Sequence, residues 1–437
     1  MSNLRLRKHK GWVPISFKLI RKTWKGKADW KKLESLNLIR VKPYDMRRGL
    51  SYEFKVPDAL IEKFLSSFST KTQDHVDSPM VNLFTGHLMK CKPKSRLTDS
   101  TGHPEAELIA SAIKTVKKCF FNALAVEKHL QKLKAERDLF EKDSPQWTRA
   151  CARYLNDFYC FRAIVSRDLV SIDGKIFSYE PTYSSQTTGR ISEEGGGLQS
   201  CSRAMKEAAF QDINGIRNYD LKNSQANGLI QQFERAGLDT VWLKNYVADS
   251  NSKKKYAAQA GITVNCWKSC LYATMMGAYL GPGRYRGAVT KYLEDEADGD
   301  LEKAKALHMI CLAVIKPFKI QLDKWHQWLR EKYVELHSYC VKRKKYIKNA
   351  TGKTLCLTDV GKDKNLLTRK ISAFILQGAE AAFIHHLTLL SDEYGFKVLS
   401  NQHDGLVTLG TIPEEAVEIA REKSGLKRAE IEEKPFL

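Results

Sequence analysis

The sequence contains no run of about eighteen consecutive apolar residues, so no membrane partner is expected. Its first residues, MSNLRLRKHKGW, lack the apolar stretch of a secretory signal. Cysteine occurs ten times, yet never as a CxxC pair or a Cys/His quartet at zinc spacing. Cys266 and Cys270 would share one helix face, but two thiols cannot complete a zinc site, and ordinary packing is the expectation. Dispersed thiols suit a reducing compartment, and a soluble cytoplasmic protein is expected. No internal repeat at solenoid spacing is present. Acidic excess is also missing. Over 437 residues, Lys and Arg number 72 against 50 Asp and Glu, a net charge of +22. A surplus that large attracts a polyanion, most commonly nucleic acid. With 43% hydrophobic and 28% charged residues, the chain is otherwise of ordinary globular make-up.

The charge is concentrated at the start. Residues 1–50 carry fifteen Lys/Arg against Asp29, Glu34 and Asp45. Residues 14–22 and 29–38 read as short amphipathic helices, Ile39–Lys42 and Tyr52–Val56 as strands around the basic turn Asp45–Ser51, and 57–67 as a further helix. Helices followed by a hairpin with Arg47 and Arg48 at its tip resemble a winged-helix module; a generic basic lobe is the other reading. Residues 68–104 read as a linker, and Glu105 to about Val170 as strongly helical with Lys-rich faces. Short strands and helices mix from there to Leu437.

Three stretches carry chemistry. In GIRNYDLKNSQANGLIQQFERAG, Ile216–Leu221 reads as a strand, with Asn223 or Ser224 placed to cap the next helix. Asp220 then lies where a strand ends, at the mouth of a cleft. In KVLSNQHDGLVTLG, strands Lys397–Ser400 and Leu406–Leu409 flank Gln402-His403-Asp404-Gly405, a hairpin with an acid and an imidazole at its tip. Taken alone, an Asp-Gly turn has a common backbone explanation. In VNCWKSCLYATMMGAYLGPG, a helix stopped by Gly281-Pro282-Gly283 sets Lys268, Tyr272 and Met276 on one face. A cation one turn before an aromatic ring can hold a phosphate and stack on a base; a buried stripe with a snorkelling Lys is the plainer reading.

In this order the stretches resemble family A nucleic-acid polymerases. Asp220 matches the first metal-binding aspartate after a palm strand. Lys268-x3-Tyr272-x3-Met276-Gly277 is similar to the fingers helix, usually Lys-x3-Phe/Tyr-x3-Tyr-Gly, and Gln402-His403-Asp404 to the second palm motif. Thr188-Gly189-Arg190-Ile191-Ser192, with Leu198-Gln199, resembles the Thr-Gly-Arg-Leu-Ser…Leu-Gln segment ahead of the first aspartate. Gln377-Gly378 resembles the Gln-Gly of the helix before the second motif. The resemblance covers residues 188–409 strongly. It implies an α+β, right-hand fold with palm, fingers and thumb beside a small basic winged-helix-like module at 1–67. Thumb-like helices would span 105–170 and palm and fingers 171–437, with the fingers at about 240–335.

The implied activity is template-directed addition of dNTPs to a primer 3′-OH. Two Mg²⁺ ions about 3.5–4 Å apart, with Mn²⁺ able to substitute, would be held by Asp220, Asp404 and the Leu221 carbonyl. The resemblance gives Lys268 the triphosphate, Tyr272 and Met276 the nucleotide, and Thr188, Arg190, Gln377 and His403 the primer–template. Partners would be a DNA primer–template and dNTPs, with RNA as template or primer left open, and a replication partner reached through the N-terminal module. A plasmid, phage or similar replicon is the implied setting.

There are departures. Val264 stands where the family usually has Arg one turn before its Lys, with Lys253, Lys254 and Lys255 nearby in sequence as substitutes. Met276 replaces a usual Tyr, and Gly405 follows Asp404 where many DNA-synthesising members have Glu. Gln225 stands where DNA polymerases of the family usually have the Glu that screens out the ribose 2′-OH. A single-subunit RNA polymerase or primase is therefore the alternative, and a non-catalytic nucleic-acid-binding relative the second. No proofreading nuclease is expected. Thr351-Gly352-Lys353-Thr354 imitates the end of a P-loop, but Ile347 replaces the required first Gly, so a turn into a strand is expected. Gly195-Gly196-Gly197 reads as a flexible connector.

Overall fold

A computed structural model gives the fold. It describes residues 105–436, apart from 143, 279–286 and 361–362, and ahead of them 13–14, 34–37, 40–42, 53–55 and 57. In that first part β1 (Val13–Pro14), β2 (Arg40–Lys42) and β3 (Glu53–Lys55) form an antiparallel sheet in the order β1-β3-β2. The two strands expected around the basic turn pair with Arg40 opposite Lys55. Pro14, expected to open a helix, lies instead in β1, an edge strand that tolerates its missing N–H. The turn Asp45–Ser51, the linker 68–104 and the expected helices over 14–22, 29–38 and 57–67 lie outside the described residues, save a helical piece at Glu34–Ser35.

From Glu105 on the chain is α+β. It begins α1 (Glu107–Thr115), β4 (Cys119–Asn122), α2 (Ala123–Asp138) and α3 (Pro145–Val165). The helix expected throughout this stretch is thus interrupted. Cys119 and Phe121 are fully buried, and β4 pairs with a later strand, Phe121 opposite Phe177. Aromatic packing on a sheet outweighs the helical periodicity here. Asn122 then caps α2 by accepting a hydrogen bond from the Ala125 amide at 3.0 Å. Short strands follow: β5 (Val170–Ser171), β6 (Ile176–Tyr179), β7 (Tyr183–Ser185) and β8 (Ile191–Glu193). The three glycines at 195–197 all have positive φ, and a Cβ on Gly197 would lie 2.0 Å from Glu193 Oε1. This is a close-packed turn rather than a loose connector.

Next come α4 (Gly197–Ser200), α5 (Arg203–Phe210), β9 (Ile216–Leu221) and α6 (Ser224–Arg235). A helical region follows, with α7 (Val241–Ala248), α8 (Ser252–Ala260), α9 (Val264–Met275), α10 (Ala288–Glu296) and α11 (Leu301–Trp328). Its core stacks Trp242, Tyr246, Tyr256, Trp267 and Phe318. Beyond it lie β10 (Ser338–Val341), β11 (Lys344–Lys348), β12 (Thr354–Cys356), α12 (Lys364–Leu390), β13 (Lys397–Asn401), β14 (Gly405–Leu409), α13 (Glu414–Ser424) and β15 (Ile431–Glu433).

The central sheet has the order β13-β14-β9-β15 and is antiparallel throughout. Alternation along its strands assigns its two faces. Val398, Leu406, Tyr219 and Leu221 join a core with α1, α12 and α13, through Ile109, Phe383, Leu387 and Ala416. Leu399 and Val407 face the opposite core, with Phe121, Leu198 and Met205. By length and composition α12 could cross a membrane, but most of its apolar window is buried in the protein.

A second constraint holds distant segments together. Asn349 Nδ2 donates to the carbonyls of Thr188 (2.8 Å) and Phe374 (3.1 Å), while its Oδ1 accepts from Thr351 Oγ1 at 2.8 Å. A Cβ on Gly378 would sit 2.3 Å from Asn349 Nδ2, and one on Gly189 2.3 Å from Thr351 Oγ1. Glycine in both motifs thus admits the 349–353 turn. The P-loop-like residues form that turn into β12, and Lys353 is held by the buried Glu105 at 3.0 Å. Gly378→Ala is expected to lower stability by about 1–3 kcal/mol, as overpacking does. Paired with Asn349→Ala the two losses should fall short of their sum, which denaturant melts in a double-mutant cycle would measure.

Candidate active site

β9, an inner strand of the central sheet, carries Asp220 near its C-terminal end, and the β13–β14 hairpin carries Asp404 beside it. Gly405 pairs with Asp220, and the Leu221 amide donates to the Asp404 carbonyl at 2.8 Å. No side chain would fit at 405, because a Cβ there would lie 2.2 Å from the Tyr219 carbonyl oxygen. Glycine after Asp404 is therefore a requirement of this register. In the tip, Gln402 N donates to Gly405 O at 2.9 Å, and His403 takes φ +73, a strained value for a residue with a side chain. Burial raises the Asp220 pKa, and the Asp404 charge adds to the rise.

The helix α9 brings its functional face to these acids. Thr263 caps it by accepting from Cys266 N at 3.3 Å, and Trp267, Cys270, Leu271 and Met275 turn into the core. Lys268 and Tyr272 stay half-buried on the other side. Burial raises the Tyr272 pKa, followed by the charges of Asp404, Glu380 and Asp220, so this ring lies within the field of the acid cluster. The helix ends sooner than the Gly281-Pro282-Gly283 stop suggests. Met276 is already its C-cap and Gly277 has φ +82, while 279–286 lie outside the described residues. Cys266 and Cys270 are buried free thiols with sulfurs 4.0 Å apart.

Lys253, on α8, lies in the same field. Burial lowers its pKa, the charges of Lys268 and Lys434 lower it further, and Glu432 and Asp220 oppose them. Lys254 and Lys255 are exposed. Of the three lysines, Lys253 is the one within the field of Asp220 and Glu432.

A buried ion pair anchors the far side. Arg190 bonds Glu380 on α12, and Ser224 Oγ donates to the same carboxylate at 2.5 Å. The expected capping role of Asn223 and Ser224 is absent, since Asn223 makes no side-chain cap bond and Ser224 turns to Glu380. Burial raises the Glu380 pKa against the pull of Arg190. His385 Nε2 meets the Gly189 carbonyl at 2.9 Å, and burial pushes its pKa down to about 4, so the neutral ring donates there. Gln199 Nε2 donates to the carbonyls of Ile191 (3.0 Å) and Asn401 (2.8 Å), tying the Arg190 segment to the hairpin. Burial lowers the His403 pKa, with the Arg190 charge next. Gln377 is half-buried one turn before Glu380.

Among the described residues, Thr188 Oγ1, Arg190 Nε, Asn223 Oδ1, Gln225 Oε1 and His403 Nδ1 are buried without a hydrogen-bond partner. Nine other buried side-chain atoms, among them Tyr246 Oη and Trp267 Nε1 in the helical core, likewise lack partners. No three His, Cys, Asp or Glu side chains among the described residues group as a metal site. Asp220 and Asp404 offer hard oxygen donors of the kind a divalent cation would take.

Sequence reasoning missed Glu380 and Lys434. The first is hidden in an ordinary helical run. The second follows β15, whose Glu432 pairs with Asp220, and its Nζ bonds Asp220 and, at 2.9 Å, Glu432. Burial opposes the Lys434 charge, but these bonds outweigh it and raise the pKa. Only the strand pairing reveals it. Glu380→Ala should destabilise the fold by about 3–5 kcal/mol in denaturant melts, because it leaves Arg190 uncompensated. Lys434→Gln should tighten Mn²⁺ binding roughly tenfold, about 1.4 kcal/mol, by removing a competing cation. Unchanged affinity in a calorimetric titration would show that Lys434 leaves Asp220 free.

No protein-family model matches the chain, and no curated protein matches it. Among solved structures, it is similar to the POL domain of Pol1 from M. smegmatis, in complex with DNA primer-template and dNTP. Identity is 15% and the TM-score 0.40, over 69% of this chain and 55% of that one. The match spans little more than half of that domain, and at such distance the assignment falls to the site's own residues.

Proposed function

We propose that the chain is a template-directed nucleic-acid polymerase of the family A type, adding dNTPs to a primer 3′-OH. The observation that carries this is the pairing of Gly405 with Asp220, which sets Asp404 beside Asp220 on adjacent strands. Tyr272 and Lys253 feel the charge of these acids, Lys434 bonds Asp220, and Lys268 lies near Lys253. In this reading the central sheet is the palm, α7–α11 the fingers, and α2 and α3 the thumb. α1 packs on α12 and belongs with the palm.

Asp220 and Asp404, with the Leu221 carbonyl, would hold Mg²⁺ or Mn²⁺. Bound there, divalent ions supply charge stabilisation for the attacking and leaving oxygens. Lys268 and Lys253 neutralise the triphosphate and the pyrophosphate as it leaves. Tyr272 lies against sugar and base, with Met276 beyond it. Arg190, fixed by Glu380, reaches the minor-groove acceptors that every correct pair presents, with Thr188, Gln377 and His403 beside it.

One observation favours the alternative of an RNA polymerase or primase. Gln225 Oε1 is buried without a partner, and a neutral amide can bond a ribose 2′-OH where a glutamate would exclude it. The Thr-Gly-Arg-Ile-Ser and Gln-Gly segments resemble the DNA branch, so dNTP use leads.

Extension of a labelled primer–template with Mg²⁺, in separate dNTP and rNTP reactions, tests this. The expected result is extension with dNTPs, abolished by Asp220→Ala or Asp404→Ala while template binding persists. Normal turnover by either variant would sink the metal assignment. Gln225→Glu should sharpen selection against rNTPs; an unchanged dNTP/rNTP ratio would remove it as the gate.

A further inference from the structure

The exposed β10–β11 hairpin has no role in that scheme. Its register pairs Tyr339 with Tyr346 and Val341 with Lys344. Side chains alternate across the pleat, so Tyr339, Val341, Lys344, Tyr346 and Lys348 share one face and Ile347 points to the other. Ile347 is fully buried and Leu355 on β12 nearly so, both in the core of the helical region. That anchorage holds the Tyr face outward. On it the two rings stack with centroids 5.9 Å apart and planes at 23°. Tyr339 is 41% exposed and Val341 48%.

The tip is cationic. Lys342 and Arg343 make the turn with φ +47 and +64, the mirror-image geometry that suits a hairpin's twist. Residues 338–348, SYCVKRKKYIK, include no acid. Lys344 bonds Asp359 at 3.0 Å, but no carboxylate among the described residues pairs with Lys342, Arg343, Lys345 or Lys348. Lysines on an edge strand can simply block strand-to-strand association. That purpose does not require a stacked, solvent-facing tyrosine pair between the cations. Aromatic faces flanked by cations are what an unpaired nucleic-acid strand needs, because bases stack on the rings and phosphates meet the charges.

We propose that this outer face binds single-stranded nucleic acid, continuing the Tyr346–Tyr339 stack with an unpaired base and holding its phosphates with Lys342, Arg343 and Lys348. Asn349, next after β11, joins the hairpin's base to the Thr188 carbonyl and so to the Arg190 segment. In the polymerase reading the occupant is unpaired template, and only that identity rests on the reading.

The test is fluorescence anisotropy of the full chain with labelled oligo(dT), oligo(U) and a blunt duplex, without divalent metal and across salt concentrations. Tyr339→Ala should weaken single-strand binding about 5- to 100-fold. Its salt slope should stay unchanged, and Tyr339→Phe should bind as the parent does. Lys342→Gln with Arg343→Gln should flatten the slope by about 0.7 for each phosphate no longer neutralised. Weakened binding of oligo(dT), oligo(U) or both supports the proposal. Parent-like binding by Tyr339→Ala, or equal weakening on strand and duplex, would overturn it. Absence of synthesis alongside the expected single-strand effects would count against the polymerase reading alone.

Discussion

The approach of Gly405 to the Tyr219 carbonyl governs the rest of the site. With no Cβ between them, β14 lies close against β9 and the Leu221 amide reaches the Asp404 carbonyl at 2.8 Å. A slip of one residue would send Asp220 to the opposite face, because strand side chains alternate with a period of two. The hydrophobic alternation that separates Leu406 from Val407 into different cores resists such a slip. Packing therefore fixes the chemistry, and two carboxylates are held together that would otherwise repel.

That repulsion shapes the surroundings. Burial raises the pKa values of Asp220, Glu380 and Tyr272, and the Asp404 charge adds to each rise. Cations arrive near Asp220 from separate elements: Lys253 from α8, with Lys268 of α9 close to it, and Lys434 after β15, which bonds Asp220. The Arg190–Glu380 pair follows a different logic. Buried ion pairs rarely stabilise more than apolar packing of the same volume, so their value lies in orientation. Here Glu380 is 1% exposed and holds a guanidinium whose Nε is buried without a partner. The pair aims Arg190, and the Asn349 turn and Gln199 hold the segment that carries it.

Local pattern made much of this legible. The strand Ile216–Leu221, the hairpin around Gln402–Gly405 and the helix bearing Lys268 and Tyr272 follow from periodicity and turn residues. Where the sequence misleads, tertiary contacts decide. The strand Cys119–Asn122 exists because Phe121 has Phe177 to pair with, a partner no window of neighbouring residues can reveal. Ser224 leaves its capping role for a carboxylate on another helix. Lys434 is invisible for the same reason, since its meaning depends on which strand β15 joins. The glycines of Thr-Gly-Arg and Gln-Gly are visible as motifs, but their physical reason, the turn at 349–353, is not.

In the proposed polymerase reading, Val264 at the place of a usual arginine also has a physical account. A guanidinium offers a rigid fork of donors, whereas an ammonium is a compact charge that burial can weaken. Lys253 illustrates the difference, since burial lowers its pKa and the neighbouring Lys268 and Lys434 lower it further. Three lysines crowded near one another are unfavourable unless anions balance them. Asp220 and Glu432 do so in part, with Lys434 bonded to both. A polyphosphate entering this space would relieve the mutual repulsion of the cations, and a divalent ion between Asp220 and Asp404 would relieve that of the acids. In the proposed polymerase reading, each half of the site would carry a charge problem that the opposite half of a metal–nucleotide complex resolves, and joint binding would be more favourable than either event alone.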